Sequence, residues 1–191
     1  MVTAPRTRRD EVLDGLVAMF LADGFLDLGL DEIAARLHCS KSTLYAVAPS
    51  KEQLITTVTR EFFRRSTDQV EQRLAAEPDP RRRIRAYLDA IAEALAPASP
   101  AFYADVNDFA PAREVYRRNT AIAARRVQEL VTEAKGPDGA VDATFVGAVA
   151  AAVMSSIQSG EMEATTSLGD ATAYRLLADV IDASVARSSA P

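Results

Sequence analysis

The chain has 191 residues, of which 48% are hydrophobic and 26% charged, with a net charge of −5. That length can bury a substantial core, and that balance excludes an extended disordered or fibrous chain. A single cysteine excludes an intrachain disulfide framework and suits a reducing compartment, so the expected location is the cytoplasm.

The opening MVTAPRTRRDEV is charged and is not followed by the apolar run of a signal peptide. Arg9 to Asp23 then places Val12, Leu13, Leu16, Val17, Phe20 and Leu21 on one helical stripe, with Gly24 as the stop. A second, short helix follows in LDEIAARL, carrying Leu30, Ile33, Ala34 and Leu37 and ending at His38. Ser40 is a good cap for a third, KSTLYAV, which Pro49 ends. Ser50 and Gln53 have capping-box spacing for a fourth helix running to about Ala76.

Pro78 and Pro80 mark a boundary, after which RRRIRAYLDAIAEAL repeats the amphipathic pattern. A short proline-bracketed helix is expected in PASPAFYADVNDFAP and a long one from Ala112 to Lys135, closed by the turn KGPDG. Two more are expected at Val141 to about Gln158 and Asp170 to about Arg187, with SGEMEATTSLG read as a loop. The apolar stretch Ala143 to Ile157 is shorter than the roughly 20 residues of a membrane span and reads as a buried helix. No strand pattern emerges, so the expected class is all-α, with about nine helices.

Two short helices joined by a tight turn, the second led by hydroxyl and lysine side chains, are the requirement of a helix-turn-helix. The turn is His38, Cys39 and Ser40; its first position needs a residue tolerant of a left-handed backbone. Leu44 is expected to pack inward and Tyr45 to reach outward, with Lys41 facing a groove and Lys51 forming a second phosphate clamp. Although the chain is acidic, residues 1 to 65 hold nine Lys/Arg against nine Asp/Glu, so the whole deficit lies later.

EIAARLHCSKSTLYAVAPSKEQL resembles the DNA-binding segment of the TetR family of bacterial transcriptional regulators, of the type DIAxxAGVSKGTLYxYFxSKExL. Glu32, Ile33, Ala34, Ser40, Lys41, Thr43, Leu44, Tyr45, Lys51, Glu52 and Leu54 fall in register. The resemblance covers roughly residues 8 to 55. It implies a three-helix DNA-binding domain over residues 1–48 and a helical effector-binding and dimerisation domain over 49–191. The implied DNA contacts are Arg8, Arg9, Ser40, Lys41, Ser42, Thr43, Tyr45 and Lys51, set against a double-stranded, palindromic operator. Val47 and Ala48 stand where the family has an aromatic pair, and Leu28 and Gly29 where a hydroxyl residue is usual; Arg8 and Arg9 are expected to compensate.

The resemblance further implies a cavity for a small, largely apolar effector. Its candidate lining is Phe62, Tyr87, Ile91, Phe102, Tyr103, Asn107, Phe109 and Tyr116, with Asp105 and Asp108 nearby to orient a polar group. Small residues in the last two helices allow close helix approach, and Gly147, Ala148, Ala151, Ala152, Ser155, Leu177, Val180 and Ile181 are the candidate homodimer face. No nucleophile–base pair, metal-ligand spacing or glycine-rich phosphate loop points to an enzyme, a cofactor or a metal. The expected function is thus a ligand-responsive repressor. The competing reading is a helical ligand-binding protein whose head no longer reads DNA.

Overall fold

The computed structural model describes residues 7–135 and 142–187, and the described residues form ten helices and no strand. They are α1 Arg8–Asp23, α2 Leu30–Arg36, α3 Lys41–Val47, α4 Lys51–Ala75, α5 Pro80–Leu95, α6 Pro100–Asp108, α7 Ala110–Lys135, α8 Ala143–Gln158, α9 Glu161–Thr166 and α10 Asp170–Arg187. The all-α expectation holds, and the helix count exceeds the expected one by α9, which lies in the stretch expected as a loop. The expected turn at KGPDG lies outside the described residues, apart from Lys135 at the end of α7.

Local chemistry sets most helix starts. Thr7 caps α1 through a reciprocal box: its hydroxyl accepts the Asp10 N–H at 3.2 Å while the Asp10 carboxylate accepts the Thr7 N–H at 3.0 Å. Asp79 accepts from the Arg81 N–H at 2.9 Å ahead of Pro80, whose missing N–H costs nothing in a first turn. Ser99 does the same for Phe102 ahead of Pro100, at 3.2 Å. Asp142 accepts from both Thr144 and Phe145 at the head of α8. Helix α9 has no such cap and no buried residue; Gly160 and Ser167, both left-handed, bound it.

The chain divides into two compact units. One comprises residues 1–64 and 97–115, the other 65–96 and 116–191, so α4 and α7 each contribute to both.

In the first unit α1 packs against α3 and α6, and α2 against α3. Its core is Leu16, Phe20, Phe25, Ile33, Leu44, Leu54, Ile55 and Phe102, all but excluded from solvent. Burying side chains of this kind stabilises by roughly 1.5–3 kcal/mol each. An aromatic cluster runs through it: the Phe20 and Phe25 rings lie 5.5 Å apart, Phe25 and Phe102 6.0 Å, and Phe62 and Phe102 5.6 Å.

In the second unit α10 packs along α5 and against α8, and α8 against α9. Ile84, Leu88, Val127, Leu130, Met154, Tyr174 and Ala178 are buried there. Arg85 on α5 reaches Asp182 at 2.6 Å and also pairs with Asp179, binding α5 to α10 by charge.

Candidate nucleic-acid interface

The turn between α2 and α3 is built as its residues require. His38 has φ 48°, the left-handed conformation that ends α2, and the Cys39 N–H returns to the Ala34 carbonyl at 2.9 Å. Ser40 then caps α3, accepting from the Thr43 N–H at 3.2 Å, while its hydroxyl lies 2.6 Å from that of Ser42 and 2.9 Å from that of Thr43. Leu44 and Val47 turn inward against α1; Ser40, Lys41, Ser42 and Tyr45 turn outward, with Tyr45 49% exposed. Ala48 and Leu28 are buried, so the departures from the family pattern at these positions act as packing groups.

The basic side chains are already engaged. Lys41 Nζ lies 2.7 Å from an Asp31 carboxylate oxygen, and this hydrogen bond holds the lysine above its ordinary pKa. Lys51 Nζ is half-buried and donates to the Leu26 carbonyl at 2.6 Å. Arg8 donates to the His38 carbonyl at 3.2 Å and pairs with Glu11, and Arg9 is exposed. Sequence reasoning placed the cations but missed Asp31, because a pairing between residues on different helices depends on the turn angle between them.

Asp105 on α6 was also missed as a structural acceptor. One of its carboxylate oxygens accepts the Leu26 N–H at 2.8 Å and the Phe25 N–H as well. Gly24 sits against it with φ 78°, where an added Cβ would lie 2.6 Å from that oxygen and 3.3 Å from the Ala101 carbonyl. The Ser99 N–H donates to the Leu21 carbonyl at 2.8 Å. These bonds tie the α1–α2 connection to α6.

The residues expected to line one pocket divide between the two units. Phe62, Phe102, Tyr103 and Phe109 join the aromatic cluster of the first, where the Phe25 and Phe109 rings lie 6.3 Å apart and Phe102 and Tyr103 5.7 Å. Asn107 lies in that unit too, and its carbonyl accepts from Arg113. Asp108 is exposed, and Asp105 is spent on backbone N–H groups. Tyr87 and Tyr116 are buried in the second unit, and Ile91 is half-buried there.

Of the residues expected at a homodimer face, Gly147, Leu177 and Ile181 are buried inside the chain's own fold. A Cβ on Gly147 would lie 2.7 Å from Gln128 Cβ, which accounts for the glycine. Ala151 is half-buried, whereas Ala148, Ala152, Ser155 and Val180 are exposed. Phe145, Val149 and Leu176 are exposed as well; composition gave no signal for them, since large apolar residues are usually core.

A capped α3 standing outward from a three-helix head, followed by a helical remainder, has the form of a helix-turn-helix. Residues 12–58 match the sequence model of the bacterial regulatory proteins of the tetR family. The chain's fold is shared over nearly its whole length. A TetR-family transcriptional regulator from Streptomyces coelicolor superposes with a TM-score of 0.70 at 19% identity, covering 98% of this chain and 92% of that one. A transcriptional regulator from Saccharomonospora viridis in complex with choline gives 0.69 at 14%, covering 91% and 95%. The regulator FadR from Bacillus subtilis in complex with stearoyl-CoA gives 0.63 at 9%, covering 90% and 96%. At these identities the likeness speaks for the fold. No curated protein sequence matches the chain. Among the described residues no helix is long and apolar enough to cross a membrane, and no cluster of His, Cys, Asp and Glu has the arrangement of a metal site.

Proposed function

We propose that the protein is a cytoplasmic, homodimeric repressor, not an enzyme, that binds a palindromic operator and releases it when a small molecule binds the body. The observation that carries this reading is the outward face of α3, where Tyr45 is 49% exposed beside Lys41 and Ser42 while Leu44 is buried. Residues 1–48 are the DNA-reading part, with Ser40, Lys41, Ser42, Thr43 and Tyr45 on the groove and Arg8, Arg9 and Lys51 toward phosphates. Residues 49–191 bind the effector and the second copy. The choline and stearoyl-CoA complexes of the similar structures support a small-molecule effector and leave its class open.

The dimer face lies on α8 and α10. Phe145 is 68% and Val180 60% exposed, and each has an exposed apolar neighbour one turn away, Val149 and Leu176. Such a patch calls for a partner. Ala148, Ala152 and Ser155 keep the same surface of α8 small enough for close approach. Two-fold pairing puts two copies of α3 on one face of the duplex and predicts a palindromic operator. An effector that binds better when the heads are spread wrongly for successive grooves weakens operator affinity by its differential binding energy.

A second reading, a helical ligand-binding protein with a degenerate head, draws on Lys41 and Lys51 being engaged by Asp31 and the Leu26 carbonyl. Selecting bound fragments from genomic DNA with the purified protein, followed by a gel shift on the promoter beside its own gene, separates the two. Enrichment of a fragment containing a palindrome supports the repressor; no enrichment at low salt favours the degenerate head.

A further inference from the structure

Among the described residues of the second unit, one half-buried acidic side chain has no ion-pair partner. Asp170, the first residue of α10, is half-buried and accepts from the Tyr116 hydroxyl on α7 at 3.3 Å. It makes no ion pair among the described residues. Tyr174, one turn farther along α10, is buried and feels the charge of Asp170, the Tyr116 hydroxyl and Tyr87 on α5. Glu163 on α9 adds like charge to Asp170. Arg126 acts on Tyr87 and is itself engaged by Glu71, Glu129 and Glu133. Thr120 supplies an independent observation. One turn beyond Tyr116 on the same buried face of α7, its hydroxyl oxygen is excluded from solvent and has no hydrogen-bond partner among the described residues. A buried polar group left unpaired in this way marks a position where a water or a ligand completes the structure.

We propose that this end of the second unit binds a protonated organic amine, with its ammonium on the Asp170 carboxylate. The proposal rests on the reading that residues 49–191 bind the effector, and it names the effector's class. A carboxylate drawn partly out of water is costly until a cation joins it. Tyrosine ring faces attract cations and repel anions. An acidic ligand would meet Asp170 and Glu163 with like charge, and a neutral one would leave Asp170 uncompensated. The effector expected from sequence, largely apolar, keeps that character along its body and is cationic at one end.

The amine binds the ionised carboxylate, so its affinity depends on pH. Burial pushes the Asp170 carboxyl up to about 6 against the Tyr116 hydrogen bond, which acts the other way. An alkylamine stays protonated from pH 5 to 7.5, and over that range its affinity rises roughly tenfold as Asp170 ionises.

The experiment titrates the full chain by calorimetry, at fixed ionic strength, with hexylammonium, hexanol and hexanoate. Hexylammonium is expected to bind at least tenfold more tightly than the other two, to lose at least tenfold in Asp170→Asn, and to lose its pH dependence in that variant. Equal or tighter binding of hexanol or hexanoate, no binding of hexylammonium, or binding unchanged in a folded Asp170→Asn chain overturns the proposal. Should that variant not fold, the charge comparison on the unsubstituted chain decides. A gel shift on the same preparation keeps the two readings apart. DNA binding without amine binding defeats the amine site alone, and Asp170-dependent amine binding without DNA binding defeats the repressor alone.

Discussion

Asp105 on α6 accepts the backbone N–H of Leu26 at 2.8 Å, while the carbonyl of that same residue accepts from Lys51 at 2.6 Å. The connection between α1 and α2 is therefore held at one residue by a carboxylate and an ammonium from two other helices. Removing the carboxylate strands the N–H groups of Phe25 and Leu26, both part-buried. Asp105→Ala is expected to cost about 1–3 kcal/mol in chemical denaturation, and Asp105→Asn, which keeps an acceptor, less. Equal stability of Asp105→Ala and the parent would remove this latch from the account.

Gly24 is fixed by the same contact. Its φ of 78° strains any residue with a Cβ, and that Cβ would lie 2.6 Å from the Asp105 oxygen. Gly24→Ala is expected to destabilise by about 1–3 kcal/mol. In Asp105→Ala, where the oxygen is gone, the further cost of Gly24→Ala should shrink. A double-mutant cycle measures that coupling, and strict additivity would contradict it.

Lys41 and Asp31 form a pair in the free chain at 2.7 Å. Bringing phosphates to Lys41 places them beside a carboxylate, so the two substitutions are expected to act in opposite directions. Lys41→Ala lowers DNA affinity and reduces the slope of log affinity against log salt by about 0.9, and Asp31→Asn raises affinity. His38→Ala, away from the outward face of α3, should matter less than either. Fluorescence anisotropy on one duplex across several salt concentrations reads all three, and weaker binding by Asp31→Asn would count against an Asp31 that opposes DNA.

Asp170 gives the stability a pH dependence of definite sign. Its carboxyl rises from an ordinary 3.8 to about 6 on folding, chiefly through burial, so the folded chain prefers the protonated acid. The stability contributed by that preference is complete below about 3.8 and is lost as pH rises through about 6. Asp170→Asn, neutral throughout, is expected to be more stable than the parent at pH 7.5 and to converge with it near pH 4. Urea denaturation at the two pH values checks this; a variant less stable at pH 7.5 would show that Asp170 is well compensated.

The helices were largely legible in the sequence because their ends carry explicit chemistry: Ser40, Ser50, Pro80, Pro100 and Gly24 each mark a boundary. Helix α9 was not, since EMEATT is six residues long with no apolar stripe, and periodicity cannot register it. The turn at His38 was readable as a left-handed position, and the inward Leu44 and outward Tyr45 followed from helical spacing. What spacing along one helix cannot give is a partner on another. Asp31 against Lys41, Asp105 against Leu26 and Asp170 against Tyr116 all depend on how helices cross. The dimer face shows the same limit: helix composition singled out small residues, but only the packing of α10 on α5 and α8 tells buried Leu177 from exposed Val180.

The central claim is that α3 reads duplex DNA in two copies, and hydroxyl-radical footprinting of the full chain on a selected genomic fragment tests it most directly. The account predicts two protected half-sites about one helical turn apart, related by symmetry, with protection lost in both Lys41→Ala and Tyr45→Ala. A single protected half-site, or a footprint that both variants leave unchanged, would contradict it.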